Sequence, residues 1–80
     1  MPVAVFLADD SDLIRKAIRE HLATFPDIYL VGEANNFSET LRLVNDLRPE
    51  VVLLDLNMKD VLGMDARSAS KLLLEMGAKS

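Results

Sequence analysis

The chain has 80 residues, of which 50% are hydrophobic and 28% are charged, so its size suits one small domain with a single core. The formal charge of −4, with nine Lys and Arg that form no basic run, argues against nucleic-acid binding by this segment and favours a protein partner. The absence of cysteine excludes disulfides and thiolate sites, so a metal must be bound by oxygen or by the single histidine, His21. No membrane-length apolar run or signal-peptide layout is present, and we therefore expect a cytoplasmic chain with no membrane partner.

The hydrophobic pattern alternates between short continuous apolar runs, which predict strands, and stripes of helical period, which predict helices. The predicted elements in chain order are a strand at Val3–Ala8, a helix from Leu13 that Pro26-Asp27 ends, a strand at Ile28–Ala34 interrupted by Gly32, a helix that begins at Asn36 and closes at Arg48-Pro49, a strand at Val51–Leu54, and a helix from about Asp65 to Met76 followed by Gly77 as its C-cap.

Each predicted helix has one apolar face, which we expect to be buried. These faces are Ile14, Ala17, Ile18, Leu22 and Phe25 in the first helix, Phe37, Leu41, Val44 and Leu47 in the second, and Ala66, Ala69, Leu73 and Met76 in the third. Arg15, Lys16, Arg19 and Glu20 fall on the other side of the first helix, while Phe6, Phe25 and Phe37 are the expected core aromatics. Asn36 with Glu39 resembles a capping box, and either Asp10 or Ser11 can cap the first helix.

Alternating strands and helices with short connections predict a doubly wound α/β fold, a parallel sheet with helices on both faces. The expected strand order is 2-1-3, in one domain over residues 1–80 that is truncated after the third strand and third helix. In that arrangement Val51–Leu54 is an exposed sheet edge, and exposed edges recruit other strands. We therefore expect a homo-oligomer formed through this edge, or a domain-swapped dimer.

Three acidic residues follow predicted strands: Asp9 and Asp10 follow the first strand, and Asp55 follows the third. The carboxyl ends of parallel strands form the ligand crevice of such sheets, so these side chains are expected to converge. Two carboxylates about 5 Å apart repel by about 3 kcal/mol at an effective dielectric constant of about 20, a cost that a divalent cation removes. Mg²⁺ suits this site, and a carboxylate beside it can attack phosphorus as a nucleophile.

Asp9-Asp10 and the segment Val51–Met58 around Asp55 resemble the receiver domain of response regulators. The segments Val31–Ala34 and Leu47–Glu50 are similar to the subfamily that often carries a helix-turn-helix output domain. The resemblance implies a flavodoxin-like fold and a signalling switch rather than an enzyme. It also implies Asp55 as the phosphoacceptor, a histidine kinase or phosphotransfer protein as the partner, and Mg²⁺ held by Asp9, Asp10, Asp55 and the backbone carbonyl of Asn57.

The chain also departs from the family pattern. Gly63 matches a usual glycine, but Lys59 stands where the family commonly has proline, with no assigned role. The family's hydroxyl residue on a fourth strand and its lysine on a fifth strand have no counterpart, and Lys71 and Lys79 do not replace them because neither ends a predicted strand.

Two alternative functions stay open at this point. One is a receiver-derived fragment that acts only through self-association. The other is a magnesium-dependent aspartyl-phosphate phosphohydrolase, which is disfavoured because hydrolases of the haloacid-dehalogenase type carry Asp-x-Asp after their first strand, where this chain has adjacent Asp9 and Asp10. His21 is interpreted as a boundary residue outside the site.

Overall fold

The computed structural model describes residues 2–58 and 65–77. Within them lie three strands and three helices: β1 (Val3–Ala8), α1 (Asp12–Leu22), β2 (Ile28–Ala34), α2 (Phe37–Leu47), β3 (Val51–Leu54) and α3 (Ala66–Glu75). The strands are parallel and form one sheet in the order β2-β1-β3, which confirms the predicted α/β class and strand order. None of the described helices is long and apolar enough to cross a membrane.

The central strand is β1, which pairs with β2 on one side and with β3 on the other. Its continuous apolar sequence matches this place, because a central parallel strand is covered on both faces. All of its residues after Val3 are buried. Within the described residues, β3 pairs only with β1, so its other edge has no strand beside it.

The crossover rule decides which helix covers which face. The chain moves from β1 to β2 in one direction and from β2 to β3 in the other, so right-handed crossovers put α1 and α2 on opposite faces. The side chains agree with this, since Glu33 contacts α1 whereas a Cβ on Gly32 would point at Leu47 of α2. The main core lies on the α2 face, where α3 also packs; its buried members are Phe6, Ala8, Ala34, Phe37, Val44, Val52, Met58, Ala69 and Leu73.

Gly32 marks a point of close packing inside β2, and the strand runs through it rather than breaking. A Cβ at this position would lie 2.9 Å from Cε2 of Phe6 and 2.9 Å from Cδ1 of Leu47. The Phe6 ring is completely buried and has no room to move away. Only glycine therefore fits here, because a packed core does not accept an extra methyl group without strain. The strand also shifts its register against β1 between Val5 and Phe6.

Each of the three described helices is capped at its N-terminus by a side chain. Ser11 Oγ accepts from the N–H of Ile14 at 3.2 Å, and Asn36 Oδ1 accepts from the N–H of Glu39 at 2.8 Å. Asp65 Oδ1 accepts from the N–H of Ser68 at 2.8 Å, and this hydrogen bond holds the pKa of the Asp65 carboxyl below its usual range. The predicted start at Asn36 is confirmed, and Ser11 rather than Asp10 caps α1.

The C-terminal ends of two helices use left-handed backbone. Arg48 caps α2 with a φ of 50°, and Gly77 follows the C-cap Met76 of α3 with a φ of 87°. The sequence predicted Gly77 as the C-cap of α3, but Met76 is the C-cap and Gly77 lies one position beyond it, where glycine is the usual residue.

Several residues predicted to be buried are exposed. Phe25 is 44% exposed and lies beyond α1, which ends at Leu22, well before Pro26. Ile14 is 48% exposed, and no residue of α1 is fully buried. The physical reason is that α1 is the only described helix on its face, so nothing described covers the side that faces away from the sheet. Leu47, at the last turn of α2, is also 44% exposed.

The predicted face of α3 is confirmed: Ala69 and Leu73 are buried, and Ala66 and Met76 are partly buried against the same core. Lys59, Gly63 and Lys79, which the sequence analysis weighs against the family pattern, lie outside the described residues.

Candidate functional site

The backbone ladder itself brings the acidic residues together. Asp9 directly follows β1, and its N–H donates to the Ala34 carbonyl at 3.1 Å. Asp55 directly follows β3, and its N–H donates to the Ala8 carbonyl at 2.9 Å. Each residue thus continues a parallel ladder by one step, and the two lie side by side at the carboxyl edge of the sheet.

Asp9, Asp10 and Asp55 form the candidate site. Each offers a carboxylate oxygen, and these three oxygens lie within 4.8 Å of one another. Asp9 is only 8% exposed, Asp55 is half-buried, and Asp10 is exposed. The predicted convergence of the three side chains is therefore confirmed. The cluster they form is buried on the side of Asp9 and open to solvent on the side of Asp10.

Backbone N–H groups orient two of these carboxylates. The N–H of Ser11 donates to Asp9 Oδ1 at 2.9 Å, and the N–H of Asn57 donates to Asp55 Oδ1 at 2.9 Å. Each bond closes a turn of two residues, which fixes the carboxylate before any ligand arrives. A carboxylate has about four lone-pair sites, so one such bond leaves capacity for a cation.

The donor chemistry fits a hard divalent cation. The three groups supply only carboxylate oxygen, the type of ligand that Mg²⁺ prefers, and an open side leaves room for the waters that Mg²⁺ retains. His21 is not part of the group; its ring instead contacts the Phe25 ring edge-on at a centroid distance of 5.4 Å. The carbonyl of Asn57 stays a predicted ligand, while its N–H has the orienting role described above.

A charged network behind Asp9 was missed in the sequence. Arg15 Nη1 donates to the Asp9 carbonyl at 3.0 Å, and Glu33 contacts both Arg15 and Arg19. The helical period predicts Arg15 on the outer side of its helix, but its side chain is only 18% exposed. The available signal was the spacing of Arg15 and Arg19, which places two cations on the same helix face as neighbours.

A comparison with known families matches residues 5–71 to the response regulator receiver domain. The chain belongs to this family. The match begins within β1, covers β2 and β3 completely, includes Asp9, Asp10 and Asp55, and ends within α3.

Named relatives agree with the assignment to the receiver family. The chain is 41% identical over 69 residues to the transcriptional regulatory protein LiaR of Bacillus subtilis, covering 86% of the chain and 31% of LiaR. It is 36% identical over 64 residues to the nitrate/nitrite response regulator NarL of Escherichia coli K12, covering 80% of the chain and 30% of NarL. The chain thus spans about a third of the length of these relatives, both of which are named as regulators.

Solved receiver structures have the same fold. The signal receiver domain of the putative response regulator NarL from Mycobacterium tuberculosis superimposes with a TM-score of 0.83 at 28% identity, covering 96% of this chain and 60% of that chain. The response regulator domain of Thermotoga maritima CheB gives a TM-score of 0.86 at 24% identity, covering 99% of this chain and 57% of that chain, and supports the fold alone.

The clustered charges of this receiver predict an effect on stability. Without Mg²⁺, Asp55→Asn should raise the free energy of unfolding by about 1 kcal/mol, because it removes one of three like charges and keeps an oxygen that accepts from Asn57. Added Mg²⁺ should then stabilise the wild type more than the variant. Urea unfolding with and without Mg²⁺ measures both effects.

The matched control is Asp46→Asn, an exposed carboxylate on α2 whose loss should change the stability by less than about 0.5 kcal/mol. An Asp55→Asn variant that is no more stable than wild type, with an unchanged response to Mg²⁺, would show that the three carboxylates do not strain the fold.

Proposed function

We propose that this receiver accepts a phosphoryl group on Asp55 from a histidine kinase or a phosphotransfer protein, in the presence of Mg²⁺. The observation that carries the proposal is the approach of Asp9, Asp10 and Asp55 to within 4.8 Å at one edge of the sheet. The proposed ligands of Mg²⁺ are these three carboxylates and the backbone carbonyl of Asn57. The proposed location is the cytoplasm, and the segment itself is not expected to bind nucleic acid.

Burial and orientation favour Asp55 as the acceptor over its neighbours. Asp9 is 8% exposed and its Oδ1 already accepts from Ser11, so a bulky donor has poor access to it. Asp55 is half-buried, which gives access from solvent, and the N–H of Asn57 holds its carboxylate in one orientation. A fixed but accessible oxygen is what nucleophilic attack requires.

In the proposed transfer, a carboxylate oxygen of Asp55 attacks the phosphorus of a phosphohistidine. A phosphorus–oxygen bond forms to Asp55, the phosphorus–nitrogen bond breaks, and the imidazole nitrogen leaves and takes up a proton. The N–H of Asn57 holds the Asp55 carboxylate in place, and the N–H of Ser11 holds that of Asp9. When bound, Mg²⁺ supplies positive charge that offsets the carboxylates and the phosphoryl oxygens.

Intact mass after incubation with Mg²⁺ and acetyl phosphate tests this proposal. The wild-type chain should gain the mass of one phosphoryl group, Asp55→Asn should gain none, and the charge-matched Asp46→Asn should behave as wild type. The gain should also disappear when a chelator replaces Mg²⁺. Absence of a gain in the wild type, or an equal gain in Asp55→Asn, would contradict the proposed role of Asp55.

A second proposal concerns self-association through the outer edge of β3. It is supported by the pairing of β3, which within residues 2–58 and 65–77 has a neighbour on the β1 side only. Light scattering at rising protein concentration should show a dimer or larger species. A monodisperse monomer at high concentration would count against it.

A further inference from the structure

Three hydrogen bonds hold Asp9, one at its N–H, one at its carboxylate and one at its carbonyl. Its N–H donates to the Ala34 carbonyl at 3.1 Å, its Oδ1 accepts from the N–H of Ser11 at 2.9 Å, and its carbonyl accepts from Arg15 Nη1 at 3.0 Å. The first two bonds come from the backbone of the fold. The third comes from a side chain one turn into α1, so it is the bond that a substitution can remove without changing the backbone.

Glu33, near the end of β2, holds Arg15 in place. Its Oε1 lies 3.6 Å from Arg15 Nε, and its two oxygens also accept from Arg19 Nη1 at 2.8 and 2.9 Å. Asp12 contacts the same Arg15 from the solvent side, with its own side chain 89% exposed. The Arg15 and Glu33 side chains are 18% and 25% exposed, so this pair is shielded compared with an ordinary surface ion pair.

The end of β2 therefore fixes Asp9 twice. Ala34 does so directly through its carbonyl, and the adjacent Glu33 does so through Arg15. A guanidinium suits this link between Glu33 and Asp9, because its planar fork of donors can bond the Asp9 carbonyl and face the Glu33 carboxylate at the same time. An ammonium group at the same place has a single donor centre.

We propose that Arg15, held by Glu33, is a positioning residue that fixes the Asp9–Asp10 turn so that both carboxylates face the site of Mg²⁺. Arg15 touches neither the phosphoryl group nor the cation in this role, and it acts through the Asp9 carbonyl. The inference rests on the proposed Mg²⁺ site. Residues that orient metal ligands in this way typically affect metal affinity by about 10- to 100-fold.

Whether the loss of Arg15 strengthens or weakens Mg²⁺ binding distinguishes a positioning role from a purely electrostatic one. Arg15 carries a positive charge close to a site for a cation, so its charge alone disfavours Mg²⁺. Removing that charge should tighten Mg²⁺ binding if electrostatics is all that matters. If Arg15 positions Asp9, removing it should weaken Mg²⁺ binding.

The test is a titration of the full chain with MgCl₂, followed by the NMR shifts of backbone amides. We expect Arg15→Gln to weaken Mg²⁺ binding about tenfold. Arg15→Lys keeps the charge and one donor, and should restore part of the affinity. Asp12→Asn is the matched control, since it removes the exposed carboxylate partner of the same guanidinium and should change the affinity by about twofold at most.

Each outcome decides the proposal. Equal or tighter Mg²⁺ binding by Arg15→Gln overturns the positioning role while leaving the Mg²⁺ site intact. Absence of Mg²⁺-dependent shifts in the wild type overturns the proposed function, and the inference with it. If circular dichroism shows that Arg15→Gln does not fold, Arg15→Lys decides: weaker binding than wild type supports the role, and wild-type affinity contradicts it.

Discussion

The pairing of β1 with a strand on each side is the constraint on which the rest of the structure depends. Because both ladders are parallel, the carboxyl ends of the strands meet at one edge, and the ladder bonds of Asp9 and Asp55 extend the pairing to the acidic residues themselves. The same pairing requires an apolar β1 that is covered on both faces. It also requires Gly32 in β2, where the buried Phe6 ring leaves no space for a side chain.

The clustering of the carboxylates at this edge has an electrostatic cost to the stability of the fold. Three carboxylate oxygens within 4.8 Å repel one another, and a sheet of three described strands has little other reserve to offset them. The fold keeps the charges in place with backbone N–H donors from Ser11 and Asn57 and with the guanidinium of Arg15. These bonds order the carboxylates by themselves, so the proposed Mg²⁺ would not have to spend binding energy on ordering them.

Much of the fold and of the site could be predicted from the sequence, because the signals involved are local. Continuous apolar runs fixed the strand positions, Asn36 marked the start of α2, and the acids after two strands converged by topology alone. Tertiary features were missed. Phe25 follows the helical stripe, yet it lies beyond the end of α1 on a face with no second described helix. Arg15 occupies a position in α1 that the helical period assigns to the solvated face, yet its side chain turns toward Glu33 and the Asp9 carbonyl, which come from other parts of the chain.

The most direct test of the account is a crystal structure of the chain grown with Mg²⁺ and beryllium fluoride, a mimic of a phosphoryl group. If Asp55 is the phosphoacceptor, beryllium fluoride should be bonded to a carboxylate oxygen of Asp55. One Mg²⁺ should be bound by carboxylates of the Asp9, Asp10 and Asp55 group, and the bond from Arg15 to the Asp9 carbonyl should be retained. Beryllium fluoride on another residue, or a cation bound away from these three carboxylates, would contradict the account.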